Sequence, residues 1–176
     1  YLVAYNLFSM VSWAWILYLT CAHLLTTGSP QTLYPVIGYP LTVIQTLMFL
    51  DPLHSALGLV RSPLLTNLVQ VASRIIVVWQ PLQLFNVPAV TTSWALATMT
   101  IAWGVTEVVR YGYYVFNLLG MQPYPLTWAR YTFFYVLYPV GATSEAVLIY
   151  HALDAAKAFS PLIYYIMCLE IFLYVP

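Results

Sequence analysis

The chain has 176 residues, of which 62% are hydrophobic and 17% aromatic but only 6% charged, far below the roughly 25% charged composition of soluble domains. Its five basic and five acidic side chains cancel. That balance excludes a nucleic-acid footprint or a polybasic surface anchor and leaves an integral membrane protein.

A helical span needs about 20 apolar residues, and proline and glycine punctuation divides this chain into six. The first span is expected from Tyr1 to Leu25, ending at Thr26-Thr27-Gly28-Ser29-Pro30. Its start lacks a basic region and a small-residue cleavage site, so it reads as a span rather than a leader. The second is expected from Leu41 to Val60, between the Gly38-Tyr39-Pro40 turn and Ser62-Pro63, and the third from Leu64 to Leu84. The fourth covers Thr92 to Leu119, the fifth Trp128 to Leu153, and the sixth starts near Ser160-Pro161 and runs toward Pro176. Long apolar runs without strict alternation are helices, not barrel strands, and no repeat or long loop interrupts them. The expectation is an all-α polytopic bundle of six transmembrane helices, with residues 1–176 forming a single domain. If the spans alternate, Arg61, Arg110 and Arg130 share a side with both termini and only Lys157 lies opposite, which predicts cytosolic termini.

Ionisable groups inside spans are costly and point to function by default. Asp51, His54, Arg74, Glu107, Arg110 and Glu145 lie at or near membrane depth. Glu107 and Arg110, one turn apart, can equally pair to fix helix packing. Asp51 and His54 alone are too few ligands for a metal, and Cys21 and Cys168 show neither CxxC nor Cys/His spacing, so no metal site is expected.

The fifth span carries Tyr138, Pro139, Gly141 and Glu145 in its interior. Tyr138 and Glu145 are two turns apart on one helical face, about 10 Å along the axis. Pro139 removes a backbone donor and Gly141 adds no side chain, which predicts a bend between the two polar groups. A carboxyl in an apolar bundle is a usable base and a phenol a proton donor to a leaving hydroxyl, so the pair suits loss of water across adjacent carbons. With 16 tyrosines in the chain, a chance pairing is the competing reading.

The segment Val136-Leu-Tyr-Pro-Val-Gly-Ala-Thr-Ser-Glu145, preceded by Trp128-Ala-Arg-Tyr131, resembles the signature of the membrane-bound 3-hydroxyacyl-CoA dehydratases, also called the protein tyrosine phosphatase-like family. Leu53-His54-Ser-Ala-Leu-Gly58, Ser73-Arg74 and Thr106-Glu-Val-Val-Arg-Tyr111 extend the likeness over nearly the whole chain. The resemblance implies an enzyme of the endoplasmic reticulum membrane that removes water from very-long-chain (3R)-3-hydroxyacyl-CoA to give trans-2-enoyl-CoA, the third step of fatty acid elongation. It implies Tyr138 and Glu145 as catalytic residues, with Arg74, Glu107, Arg110, Arg130 and Gly141 as supporting or substrate-binding positions. It implies no cofactor, and as partners the acyl-CoA substrate, membrane lipid and the other elongation enzymes. The Cys-x5-Arg pattern of a phosphatase follows neither cysteine. CoA phosphates belong at the wet face, where Arg61, Arg110 and Arg130 are candidates to meet them. Two other classes stay open: a proton-coupled transporter, for which no repeated halves are visible, and a catalytically silent scaffold of the elongation complex.

Overall fold

The computed structural model describes residues 1–174, and among them every regular element is helical. The end of the sixth expected span, Val175 and Pro176, lies outside the described residues. α1 (Leu2–Thr27) stops at Gly28, whose φ of 66° turns the chain left-handed while its N–H caps the Leu24 carbonyl. α2 (Tyr34–Leu47) and α3 (Leu50–Ala56) together form an apolar stretch, Tyr34–Ala56. α4 (Leu64–Val77) continues as a π-helical segment, Val78–Phe85, around Pro81. The wider turn takes the Pro81 ring away from the carbonyl it would otherwise crowd. A short α5 (Pro88–Thr91) precedes α6 (Trp94–Leu118), which Ser93 caps by accepting from the Ala95 N–H. α7 (Tyr124–Thr132), α8 (Phe134–Phe159) and α9 (Pro161–Leu173) complete the chain.

Three stretches are long and apolar enough to cross a bilayer: Leu2–Thr27, Tyr34–Ala56 and Leu64–Phe85. The bent pair α7 and α8 brings the number to four. The protein is therefore a multi-pass α-helical membrane protein.

One local expectation is corrected. The second stretch opens at Tyr34 rather than Leu41, and Gly38-Tyr39-Pro40 lies inside α2. The helix-starting proline is Pro35, at a position where a missing N–H costs nothing; interior Pro40 is carried by a helix that has no better way to satisfy its backbone in lipid. The expected fifth span is made of two helices, α7 and α8, which meet at 44° at Phe133, and Pro139 lies inside α8.

α6 is the central post of the bundle, packing along α1 on one side and α8 on the other, while α9 packs against α8. Trp13 and Trp103, both fully buried, meet edge to face with ring centroids 6.3 Å apart. Gly104 lets α1 and α6 approach closely, since a Cβ there would stand 3.0 Å from the Leu17 Cβ. One end of the bundle gathers the start of α1, α3, the end of α6 and α7, joined by contacts such as Tyr1 to His54 and Arg110 to Asp51.

Candidate active site

Trp103, Glu107, Arg110, Tyr111 and Tyr114 recur at intervals of three and four along α6, so the helix presents them as one stripe. Glu107, only 1% exposed, forms an ion pair with Arg74 at the end of α4 and a second with Arg110, whose Nε lies 2.8 Å from Glu107 Oε2. Arg110 Nη2 also reaches Asp51 Oδ2 at 2.6 Å. Asp51 accepts two further hydrogen bonds, from the Tyr5 hydroxyl at 2.7 Å and the Tyr111 hydroxyl at 2.9 Å. His54 packs edge-on to Tyr5, and its Nε2 is 2.7 Å from the Tyr1 hydroxyl. Two arginines and two carboxylates thus alternate and cancel, the condition for holding charge inside an apolar bundle. Asp51 and His54 are accounted for by these contacts. The sequence offered Arg110 as Glu107's partner; Arg74 and Asp51 complete the set from other helices.

Glu145 lies next to this network. On α8 the buried positions are Gly141, Ser144, Glu145, Leu148, Ile149, Ala152 and Ala156, a stripe turned toward α6. Glu145 Oε1 accepts from the Trp103 indole N–H at 2.8 Å, and Oε2 accepts from the Tyr174 hydroxyl at 2.6 Å. The Arg74 guanidinium sits over the same Trp103 ring, 5.1 Å from its centroid. Trp103 therefore joins the charged network to the carboxylate: one face carries a cation and one edge donates to Glu145. With both oxygens engaged and 7% exposure, Glu145 is a fixed carboxylate that still has unused lone pairs. Gly141, one turn earlier, leaves space beside it, for a Cβ there would stand 3.8 Å from Glu145 Oε1 and from Trp103 Cδ1.

Tyr138 stands apart from this cluster. It is 61% exposed, its ring stacked on Phe134 at 5.0 Å, and its hydroxyl makes no hydrogen bond among the described residues. Spacing placed it on the face of Glu145, but no residue of α7 and none of α8 before Gly141 is buried, so that face has no helix against it at this height. The phenol that touches Glu145 comes from α9. Arg130 lies on α7 against Tyr113 and Tyr114 of α6. Trp103 and Tyr174 were not visible as site residues in the sequence. Trp103 had one usable signal, its place one turn before Glu107 on the same stripe. Tyr174 had none, because its contact with α8 depends on how α9 folds back.

These features define a class: a multi-pass helical membrane protein whose interior charge network ends on a hydrogen-bonded carboxylate. The family model described as "Protein tyrosine phosphatase-like protein, PTPLA" matches residues 45–176, a range that includes Asp51, Arg74, Glu107, Arg110, Tyr138 and Glu145, and the chain belongs to that family. It is 39% identical over 158 residues to the very-long-chain (3R)-3-hydroxyacyl-CoA dehydratase PASTICCINO 2 of Arabidopsis thaliana, covering 89% of this chain and 70% of that one. It is 38% identical over 155 residues to the dehydratase hpo-8 of Caenorhabditis elegans, covering 88% and 70%. With very-long-chain (3R)-3-hydroxyacyl-CoA dehydratase 2 of Mus musculus the identity is 40% over 157 residues, covering 89% of this chain and 61% of the mouse protein. No solved structure matches the chain.

Proposed function

We propose that this protein is a hydro-lyase that removes water from very-long-chain (3R)-3-hydroxyacyl-CoA, yielding the trans-2-enoyl-CoA. The observation that carries the reading is Glu145: a carboxylate buried in an apolar bundle, fixed by Trp103 and Tyr174, in a chain whose relatives are named for this dehydration. Elimination across C2 and C3 needs only proton transfers. Glu145 takes the C2 proton, the electron pair forms the C2–C3 double bond, and the C3 hydroxyl leaves as water on receiving a proton from the Tyr138 phenol. Return of the proton from Glu145 to the phenolate closes the cycle, and the two residues can also serve in exchanged roles. Tyr138 is exposed and so open to an arriving acyl chain, and Gly141 between the two leaves space beside Glu145.

On this reading residues 1–176 form one six-helix transmembrane domain. α6, with 25 residues, has the length of a span and turns its charges inward, and α9 is the sixth. Both termini face the cytosol, the membrane is the endoplasmic reticulum, and the other elongation enzymes supply the substrate and take the product.

The test is the dehydration rate of purified protein in lipid nanodiscs. Positioned acid–base groups contribute about 10² to 10⁴-fold each, so Glu145→Gln and Tyr138→Phe should each lower turnover by at least about 10²-fold while the proteins stay folded. Variants that keep more than a few per cent of wild-type turnover would defeat the assignment.

A further inference from the structure

Arg130 is placed unlike the other half-buried arginines of this chain. Arg74 and Arg110 are engaged with Glu107 and Asp51, whereas Arg130 forms no ion pair among the described residues. Its guanidinium carbon lies 4.2 Å from the Tyr113 ring centroid, 4.9 Å from that of Tyr114 and 6.0 Å from that of Tyr131. Rings hold a guanidinium through its face and leave its N–H donors, which point outward in its own plane, free to bind something else. One of these, Nη1, is enclosed with no hydrogen-bond partner, while the residue as a whole is only half-buried and so open to a ligand on its outer side. A cation held in place with donors unspent is suited to a bidentate oxyanion.

Its distance from Glu145 identifies the oxyanion. Tyr113 and Tyr114 come ten and eleven residues after Trp103 on α6, about 15 Å along the axis at 1.5 Å per residue. Trp103 donates to Glu145. A span of that order is what an extended pantetheine arm puts between a thioester and its diphosphate. The two carboxylates of the intervening network are already matched by two arginines, so among the described residues Arg130, like the exposed Arg61 of the α3–α4 connection, is a positive charge at that end without a carboxylate partner, and it alone is held on a tyrosine cradle.

We propose that Arg130, on its tyrosine cradle, binds the phosphate groups of the substrate's coenzyme A carrier. This rests on the dehydratase reading for the placement of the thioester, but the site can be tested without turnover. The same chemistry would suit a phospholipid headgroup, and the experiment separates the two sources.

Coenzyme A and pantetheine are each titrated calorimetrically into wild type, Arg130→Gln and Arg130→Lys in nanodiscs made with and without anionic phospholipid. A charge-assisted contact to phosphate predicts that coenzyme A binds about 10- to 100-fold more weakly to Arg130→Gln, with partial recovery in Arg130→Lys, in both lipid compositions. Pantetheine, lacking the diphosphate, should bind all three proteins alike. Equal coenzyme A affinity in wild type and Arg130→Gln, no binding to wild type, or a loss seen only with anionic lipid would each overturn the proposal. In parallel, kcat/KM is measured for matched 3-hydroxyacyl-CoA and 3-hydroxyacyl-pantetheine thioesters. The ratio of the two should fall by the same factor in Arg130→Gln, chiefly through KM, and a proportionate loss on both substrates would mark Arg130 as structural. Arg130-dependent coenzyme A binding in a wild type that dehydrates neither thioester would sustain the site and sink the dehydratase reading.

Discussion

At the scale of single residues, two phenols compete for one role. Tyr174 donates to Glu145 at 2.6 Å, while Tyr138 lies exposed on Phe134. A donor that holds a charged carboxylate in place without taking part in proton transfer is worth about 1.5–3 kcal/mol, which corresponds to roughly 10- to 100-fold in rate. Tyr174→Phe should therefore lower kcat by roughly that factor with little change in KM, less than the loss expected for Tyr138→Phe. Steady-state kinetics on both variants decide the matter, and the reverse ranking would make Tyr174 the proton donor. Charged residues were the most legible part of this site in the sequence, because an ionisable group inside an apolar span has few reasons to be there. Arg74, Glu107, Arg110 and Glu145 were identifiable on that ground alone. Trp103 was not: an indole in a membrane helix looks like any other apolar residue until its N–H is seen to point at a carboxylate.

At the scale of helices, periodicity revealed which residues share a face but not which part of that face is covered. Tyr138 and Glu145 are in phase, yet packing of α8 begins only at Gly141, so one side chain is buried and the other is not. The same limit explains Gly38-Tyr39-Pro40: a proline signals either a turn or a tolerated interior position, and only the packing around it distinguishes them. The glycines give a sharper test. At Gly141 an added methyl would make ordinary contacts at 3.8 Å, so Gly141→Ala should fold with unchanged or slightly raised thermal stability, since alanine favours a helix over glycine by up to about 1 kcal/mol. Its methyl would nonetheless stand beside Glu145 Oε1, where C2 must approach, and dehydration should fall by about 10-fold or more. Gly104→Ala should behave in the opposite way, losing stability because the new Cβ stands 3.0 Å from the Leu17 Cβ across the α1–α6 contact. Thermal unfolding in detergent together with turnover on the two variants would separate a glycine kept for reactivity from one kept for packing; matching losses in both assays at Gly141 would refute the difference.

For the whole molecule, the question is which end faces the cytosol. Arg61, Arg110 and Arg130 lie toward the end that holds the start of α1, the α3–α4 connection, the end of α6 and α7, and Lys157 lies toward the other. Three basic residues against one favour the first end as cytosolic under the positive-inside rule. The proposed reaction calls for the same orientation, since coenzyme A carries phosphates that do not cross a bilayer unaided, and the proposed contact would put Arg130 where cytosolic thioesters can reach it. Gln122, in the exposed turn between α6 and α7, and Gln31, between α1 and α2, mark opposite ends. With Cys21 and Cys168 replaced by serine, single variants Gln122→Cys and Gln31→Cys in sealed microsomes, cytosolic face outward, should react differently with a membrane-impermeant maleimide. Gln122→Cys is expected to label at once and Gln31→Cys only after detergent is added. Labelling of Gln31→Cys alone in intact vesicles would invert the bundle, put Arg130 at the lumenal face, and remove the route by which a cytosolic acyl-CoA could bring its phosphates to that arginine.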